Sequence, residues 1–166
     1  MSQMCDQMVI PKSYIVRMIT LRRTDSTDTD FTSLVELLDS ELRVLDGDEH
    51  VFYAQLNKTG HIDAVVAYIN EKPVACGALR PFSNDAMELK RMYTRKEHRG
   101  KGIASAIVAA LETWTLELGY KLCVLETGKR QPDAIALYKK AGFEMIPNYG
   151  HYKDVDNSVC FQKVLK

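Results

Sequence analysis

Residues 95–102, RKEHRGKG, place cationic side chains beside two glycines, between a strand-like and a helix-like stretch. A helix N-terminus presents unpaired backbone N–H groups and roughly half a positive charge, which favours a bound phosphate. Gly100 and Gly102 have no Cβ, so a ligand can approach the backbone closely. The sequence therefore predicts a phosphate-binding junction rather than a basic loop that is merely solvated. Its four cations are Arg95, Lys96, Arg99 and Lys101.

Two familiar phosphate sites do not fit this junction. A Walker A loop needs GxxxxGK followed by Ser or Thr, and that spacing is absent. A dinucleotide site needs a third glycine, where this chain has Ser105, and a tighter turn than the stretch from Thr94 to Gly100. Glu126 could serve as a ribose-binding acid, but too little chain follows it to complete a doubly wound sheet. Both sites are therefore disfavoured.

Hydrophobic periodicity predicts the elements that must position this junction. A capping box, Ser33-x-x-Glu36, predicts the start of a helix that ends at Gly47. Further helices are predicted near residues 51–56, 103–118 and 132–141, and strands near 14–22, 64–69, 74–80, 87–94, 121–126, 143–146 and 158–164. The three strands before the junction should be antiparallel neighbours, whereas residues 87–126 should form a right-handed βαβ unit with parallel strands.

These elements predict one mixed α/β domain over residues 1–166, with residues 1–13 as a loosely ordered tail. The expected order is β-α-α-β-β-β-α-β-α-β-β, with six to seven strands in a central sheet and about four helices. The polar residues 70–73, NEKP, suit a hairpin turn between the second and third strands.

Composition excludes several classes of partner. Lys and Arg number 22 and Asp and Glu number 22, so no net charge favours nucleic acid or an anionic membrane. The four cysteines are far apart and the four histidines lack a ligand spacing, so we expect reduced thiols and no metal site. The first residues do not resemble a secretory signal, and no apolar run approaches the length of about 18 residues that a membrane span requires. We therefore expect a cytoplasmic protein.

The junction resembles the acetyl-coenzyme A signature of the GCN5-related N-acetyltransferases (GNAT), which is Arg or Gln, two residues, Gly, one residue, then Gly or Ala. Here it reads Arg99-Gly-Lys-Gly102-Ile-Ala104. The strand MELKRMYT before it and the stretch LETGKRQPDAIALYKKAGFE after it are similar to neighbouring blocks of that family. The resemblance covers about Glu88 to Phe143, while the N-terminal third agrees only in element order. It implies the GNAT fold, acetyl-CoA as co-substrate and N-acetyltransferase activity.

The resemblance also implies roles for particular residues. The backbone at residues 92–94 would bind the pantetheine arm, residues 100–105 would wrap the pyrophosphate, and Gln131 takes the place of a cofactor-binding Asn. A bulge in the strand 87–94 would aim an N–H at the thioester oxygen. The implied cofactor residues are Met92, Tyr93, Thr94, Arg99, Gly100, Lys101, Gly102, Ile103, Ala104, Ser105 and Gln131.

Acetyl transfer to an amine requires two proton movements, because an alkylammonium has a pKa of about 10.4 and a thiol of about 8.5. Glu126 and Glu88 are the candidate bases, with Glu126 preferred for its position, and Tyr138 falls where relatives place an acid that protonates the leaving thiolate. A structural role for each carboxylate stays open. A covalent route through Cys123 is weaker, because no His lies nearby in sequence.

The acceptor is less defined by the sequence. Nine acids lie between Thr24 and His50 against the single cation Arg43, which favours a cationic small-molecule amine, although ordinary solvated helices also explain them. Tyr149 and Tyr152 are candidates for the pocket wall. Acetylation of a protein or peptide N-terminus and a non-catalytic acyl-CoA-binding module remain alternatives. Dimerisation is common in the family, so a homodimer is a further expectation, although no interface stripe is readable here.

Overall fold

The computed structural model describes Pro11, Tyr14, residues 18–56 and residues 60–166, in which one seven-stranded sheet is covered by helices on both faces. The strands are β1 Thr20–Asp25, β2 Asp63–Ile69, β3 Lys72–Pro81, β4 Ala86–Thr94, β5 Leu122–Gly128, β6 Glu144–Ile146 and β7 Ser158–Val164. The α-helices are α1 Thr29–Asp46, α2 His50–Leu56, α3 Ile103–Glu117 and α4 Pro132–Lys140. This order along the chain matches the one predicted from periodicity.

The sheet has the strand order β1-β2-β3-β4-β5-β7-β6. The pairs from β1 to β4 are antiparallel, and β4 and β5, joined by α3, are parallel. The mixed sheet and the parallel βαβ unit are therefore confirmed. None of the described helices is long and apolar enough to span a bilayer.

Two predicted boundaries at the N-terminal side are wrong. The first strand begins at Thr20 rather than Tyr14, because its pairing with β2 runs only from Thr20–Tyr68 to Asp25–Asp63. The predicted tail, apart from Pro11, lies outside the described residues. The predicted capping box at Ser33 is also wrong.

Helix α1 begins earlier than the box predicted, after Asp28, whose Oδ1 accepts a hydrogen bond from the Phe31 N–H at 2.9 Å. Ser33 lies within the helix and donates to the Thr29 carbonyl at 2.9 Å. Because an Asp in extended conformation satisfies an N–H of the first turn, the helix needs no second cap. The beginning of α1 is thus fixed by the acid rather than by the serine.

The turn between β2 and β3 contains two residues, Asn70 and Glu71, rather than the four predicted. Their φ angles are 48° and 63°. Positive φ at both central positions is typical of the hairpin turn whose twist matches that of the strands. Lys72 and Pro73, predicted in the turn, belong to β3.

A bulge interrupts β4 where it pairs with β3. Cys76 pairs with Tyr93 and Ala78 with Lys90, so Gly77 faces two residues of β4, one of which, Arg91, has a φ of 56°. A Cβ on Gly77 would lie 2.5 Å from the Met92 sulfur and under 3.0 Å from two side chains of α3. The family resemblance implied a bulge in this same strand. A side chain larger than that of glycine at position 77, opposite the bulge, would crowd these neighbours.

The two faces of the sheet pack different cores. Leu34 and Leu38 of α1 pack on Ala78 and Val66, while Ile107 and Leu111 of α3 pack on the opposite face. Helix α2 contributes Tyr53, which packs near Cys160 of β7 on the same face as α1. The face that α1 and α2 cover is called the α1 face below.

Candidate active site

Strands β4 and β5 separate and open a cleft at the centre of the sheet. They pair only from Ala86–Leu122 to Glu88–Val124, although both strands continue for several residues. Beyond that point the edge of β4 that faces β5 has no strand partner. A cleft of about 1210 Å³ opens there, between the ends of both strands, the loop before α3, and helices α1 and α4.

This cleft brings together the two candidate bases, the candidate acid and every cofactor residue that the resemblance implied, but not Cys123. The residues come from separate elements, because β4, the loop, β5 and α4 all end at the same edge of the split. Those lining the cleft are Glu88, Met92, Tyr93, Thr94, Arg99, Gly100, Lys101, Gly102, Ile103, Ala104, Ser105, Glu126, Gln131 and Tyr138.

One end of the cleft is the N-terminus of α3. Gly100 and Gly102 have φ angles of 70° and 84°, and Gly102 caps the helix without a side-chain hydrogen bond. The first intrahelical bond there joins the Ala106 N–H to the Gly102 carbonyl at 3.1 Å. The N–H groups of residues 103–105 consequently have no intrahelical partner, and these residues line the cleft, which suits an anion.

The cations near this end differ from the sequence interpretation. Arg99 and Lys101 line the cleft, whereas Arg95 donates to the Pro73 carbonyl at 2.9 Å and lies outside the cleft lining. Arg99 donates to Glu41 at 2.7 Å, and Lys101 to the Glu97 carbonyl at 2.7 Å. The four cations thus do not converge on one anion, because the loop folds two of them away.

The two candidate carboxylates have different surroundings. Glu88 is 1% exposed, accepts from Arg80 Nε at 2.6 Å and accepts from the Tyr149 hydroxyl at 2.9 Å. Glu126 has a buried Oε1 without a hydrogen-bond partner among the described residues. Burial raises the pKa of Glu126 to about 7, although Ser158 and the Lys90 charge oppose that rise. Of the two, only Glu126 has a buried carboxylate oxygen without a hydrogen-bond partner among the described residues, and its raised pKa suits proton transfer near neutral pH.

Tyr138 lies on α4 on the other side of the split. Its ring is 5% exposed and packs edge-on against Phe143, with centroids 5.8 Å apart. Its hydroxyl makes no hydrogen bond with the part of the chain that the structure describes. Burial, and then the charge of Glu126, raise the pKa of Tyr138. The phenol therefore keeps its proton at neutral pH.

Lys90, a residue outside the predicted site, also lines the cleft. It is 8% exposed, and burial lowers the pKa of its ammonium while the charge of Glu88 opposes this. The signal was present in the strand alternation, because Lys90 lies two residues after Glu88 and shares its face. A lysine in a strand of otherwise buried residues could have been noticed.

The acids of the N-terminal segment are mostly paired with cations rather than directed at an acceptor. Asp28 pairs with Arg22 at 2.7 Å, Asp39 with Arg91 at 2.9 Å, and Glu49 with Arg130 at 3.1 Å. Glu41 and Asp46 alone among the nine acids line the cleft, and Glu41 binds Arg99. Since these pairs cancel much of the negative charge, the predicted attraction of a cationic amine by this segment is weak.

Cys123 has no place in this cleft. It is fully buried on the α3 side of the sheet, and burial raises its pKa to about 11. A thiol of that pKa is a poor nucleophile at neutral pH. Among the described residues, no group of three His, Cys, Asp or Glu side chains could hold a metal ion.

Comparisons with known proteins agree with this geometry. The model of the acetyltransferase (GNAT) family matches residues 31–143. An uncharacterized N-acetyltransferase of Escherichia coli, YjgM, is 31% identical over 150 residues, which cover 83% of this chain and 86% of that protein. A structure described as an acyl-CoA N-acyltransferase from Klebsiella pneumoniae superimposes with a TM-score of 0.76 at 28% identity, covering 90% of this chain and 99% of that one.

A GNAT family acetyltransferase from Elizabethkingia anophelis, solved with acetyl-CoA bound, shares the fold with a TM-score of 0.66 at 17% identity. It covers 89% of this chain and 99% of that one. The family match extends over more than half of the chain and contains the bulged strand, the glycine junction and α4. The chain belongs to the GNAT family of acetyltransferases.

Proposed function

We propose that this acetyltransferase transfers the acetyl group of acetyl-CoA to a primary amine of a small molecule by direct attack in a ternary complex. One observation carries the proposal. Glu126, whose buried Oε1 has no partner among the described residues, and Tyr138, whose hydroxyl makes no hydrogen bond with them, border one cleft that also contains the uncapped N-terminus of α3. A base, an acid and an anion site are the three groups that this reaction requires.

Acetyl-CoA fits the cleft by its chemistry. Its pyrophosphate would accept hydrogen bonds from the N–H groups of residues 103–105, with Gly100 and Gly102 allowing close approach. The pantetheine amides would pair with the open edge of β4 at residues 92–94, as another strand would. Gln131 lies on the same wall. The Elizabethkingia protein, which has this fold, was solved with acetyl-CoA bound and supports the assignment.

Glu126 would take a proton from the incoming ammonium, for which its pKa of about 7 is suited. The amine then attacks the thioester carbonyl carbon, a C–N bond forms and the C–S bond breaks. Tyr138 would give its proton to the departing thiolate. The new amide nitrogen loses a second proton, which restores the Tyr138 hydroxyl, while the proton on Glu126 leaves to solvent.

Glu88 would act by positioning rather than as the base. It holds Arg80 and the Tyr149 hydroxyl, so both of its oxygens are occupied. The bulge at Arg91 and Met92 frees backbone groups from the β3 ladder, and one of its N–H groups would donate to the thioester oxygen as negative charge develops there.

A thiol-release assay tests the proposal directly. The protein is incubated with acetyl-CoA and a panel of amino acids, polyamines, aminoglycosides and peptides with free N-termini, and the acetylated product is identified by mass spectrometry. We expect free CoA thiol to appear only with an amine present, and turnover to fall strongly in Glu126→Gln but not in the control Glu144→Gln on an exposed strand position.

Two outcomes would contradict parts of the proposal. Turnover of peptide N-termini alone would replace the small-molecule acceptor with a peptide. Tight acetyl-CoA binding without thiol release from any amine would instead favour a non-catalytic acyl-CoA-binding module.

A further inference from the structure

Lys90 and Glu126 lie opposite each other where the sheet splits. The last pair between β4 and β5 is Glu88–Val124, and each of the two residues lies two positions further along its own strand. The cross-strand partner of Lys90 is Ala78 of β3, which packs under α1. The cross-strand partner of Glu126 is Cys160 of β7, which packs near α2. Cross-strand partners share a face, so both side chains project from the α1 face.

The Lys90 ammonium is the unusual cation of this cleft. Arg91, Arg99 and Arg130 also line it, but each is paired with a carboxylate of α1 or the turn after it. Lys101 and Lys140 line it as well, but Lys101 donates to the Glu97 carbonyl and Lys140 is exposed, whereas Lys90 is buried. Lys90 makes no ion pair or hydrogen bond with any described residue, although only 8% of its surface is exposed. The nearby Glu88 accepts its hydrogen bonds from Arg80 and Tyr149 and makes none with Lys90.

The Lys90 side chain is largely buried, whereas its ammonium nitrogen keeps some accessible surface in the cleft. A partly desolvated ammonium without a partner is costly unless something compensates it. Burial lowers the pKa of Lys90, while the charges of Glu88 and Glu126 favour its protonated form. The group is therefore placed to gain from an anion that enters the cleft. Tyr53 and Tyr152 line the same cleft and pack with Cys160, the cross-strand partner of Glu126.

We propose that Lys90 binds a carboxylate of the acceptor, so that the substrate is a free α-amino acid whose ammonium lies at Glu126 and whose carboxylate lies at Lys90. This inference rests on the proposed function and specifies its substrate class. In an α-amino acid the amine and the carboxylate are attached to one carbon, so their charges lie close together. A base on one strand and a cation on the opposing strand match that arrangement.

The same arrangement selects against other amines. A peptide N-terminus has an amide in place of the neighbouring carboxylate and would leave Lys90 unpaired. A polyamine would bring a second cation towards Lys90, which is unfavourable in a partly desolvated cleft. Lys90 would therefore determine specificity without taking part in the chemistry.

Matched acceptors test the inference. The twenty free L-amino acids are first assayed one by one as acceptors. The best of them is then compared with its amide and its decarboxylated amine, using wild type, Lys90→Met, Lys90→Arg and the exposed control Lys121→Met. We expect wild type to prefer the free acid in kcat/KM by on the order of 10- to 100-fold, since a hydrogen bond to a charged group contributes about 1.5–3 kcal/mol. Lys90→Met should abolish that preference through KM, Lys90→Arg should keep part of it, and the control should not change it.

The outcomes separate this inference from the proposed function. If wild type acetylates the amide or the decarboxylated amine as well as the acid, or if Lys90→Met lowers turnover of all three equally, the inference is overturned while the acetyltransferase proposal stands. If no amine in the broad panel releases thiol, the proposed function and the inference fall together. Should Lys90→Met fail to give a normal unfolding curve, Lys90→Gln is measured in its place and judged by the same criteria.

Discussion

At the scale of single residues, the partners of a side chain decide its chemistry. Glu88 and Glu126 are the same residue type on neighbouring strands, and both border the cleft. Glu88 accepts hydrogen bonds from Arg80 and Tyr149, whereas one oxygen of Glu126 is buried without a partner among the described residues. The sequence could nominate both residues, but the choice between them depends on contacts that form only in the fold.

Glu126→Gln should make the protein more stable and less active. Because the folded-state pKa of Glu126 is raised to about 7 from 4.5, the folded chain holds that proton more tightly, and stability falls as pH rises between those values. Glutamine removes this penalty, so its advantage in the free energy of unfolding should grow from near zero at pH 4 to about 3 kcal/mol above pH 7. Urea unfolding at several pH values measures it.

The same variant should lose about 10²- to 10⁴-fold in kcat, the usual contribution of a general base. Wild-type kcat/KM should rise with pH up to about 7, and that limb should be absent in Glu126→Gln. Glu144→Gln, an exposed change, serves as the control for both measurements. If the stability advantage of Glu126→Gln over wild type did not vary with pH, the pKa of Glu126 would not be raised in the folded protein.

Tyr138→Phe should reduce turnover while leaving affinity for CoA unchanged. Its hydroxyl has no hydrogen-bond partner among the described residues, and its ring packs on Phe143 and Phe161, contacts that phenylalanine keeps. We expect kcat to fall about 10²-fold or more, within the range for loss of a general acid. Steady-state kinetics and calorimetric titration with CoA separate the two effects. Full activity in this variant would remove Tyr138 from the mechanism.

At the scale of elements, the site is built by strands that stop pairing. Strand β4 leaves β5 after Glu88 and bulges against β3 at Arg91, and each departure frees backbone groups along the cleft. Gly77 makes the bulge compatible with α3, which packs directly behind it. Gly100 and Gly102, with their positive φ angles, likewise leave the N-terminus of α3 open to the cleft.

Gly77→Ala should destabilise the protein by about 1–3 kcal/mol, because its Cβ would overlap the Met92 sulfur and side chains of α3 in a packed core. Gly60→Ala is the matched control, since a Cβ there meets nothing within 4 Å. Chemical denaturation measures both. Equal stability of the two variants would mean that the bulge adapts without cost.

Gly100→Ala should weaken CoA binding in addition to straining the backbone. Its φ is 70° and a Cβ there meets no protein atom within 4 Å, so it would project into the open cleft. Gly119→Ala, with a φ of 88° and equally open surroundings after α3, carries the same strain of about 1–2 kcal/mol away from the cleft. We expect both variants to lose stability and only Gly100→Ala to lose affinity. Equal CoA affinity in the two would argue against a phosphate at this loop.

At the scale of the whole molecule, one sheet connects the N-terminal helices to the cleft. Arg91 joins β4 to Asp39 of α1, and Arg99 joins the glycine loop to Glu41 of the same helix. The acids of α1 therefore stabilise the site's framework more than they attract a substrate. The predicted single domain and the predicted homodimer remain predictions.

The chain should unfold in one cooperative transition if it is a single domain. Fluorescence of Trp114, its one tryptophan, reports on α3, whereas far-ultraviolet circular dichroism reports on all elements. We expect the two probes to give coincident curves and the calorimetric enthalpy to equal the van't Hoff enthalpy. Acetyl-CoA at about 100 times its Kd should shift the transition by about 2.7 kcal/mol. Separate transitions would show that the N-terminal helices fold independently.

The sequence by itself determined the order of the elements and the glycine junction, because hydrophobic periodicity and the freedom of glycine act between near neighbours along the chain. Through the family resemblance it also nominated many of the residues that line the cleft, although not Lys90. Tertiary structure alone decided which of these residues are free to react. Tyr149 reaches Glu88 across 61 positions of sequence, Arg91 reaches Asp39 across 52, and Lys90 faces Glu126 only because two strands separate. Charge pairing and desolvation depend on distances in space, which local patterns do not encode.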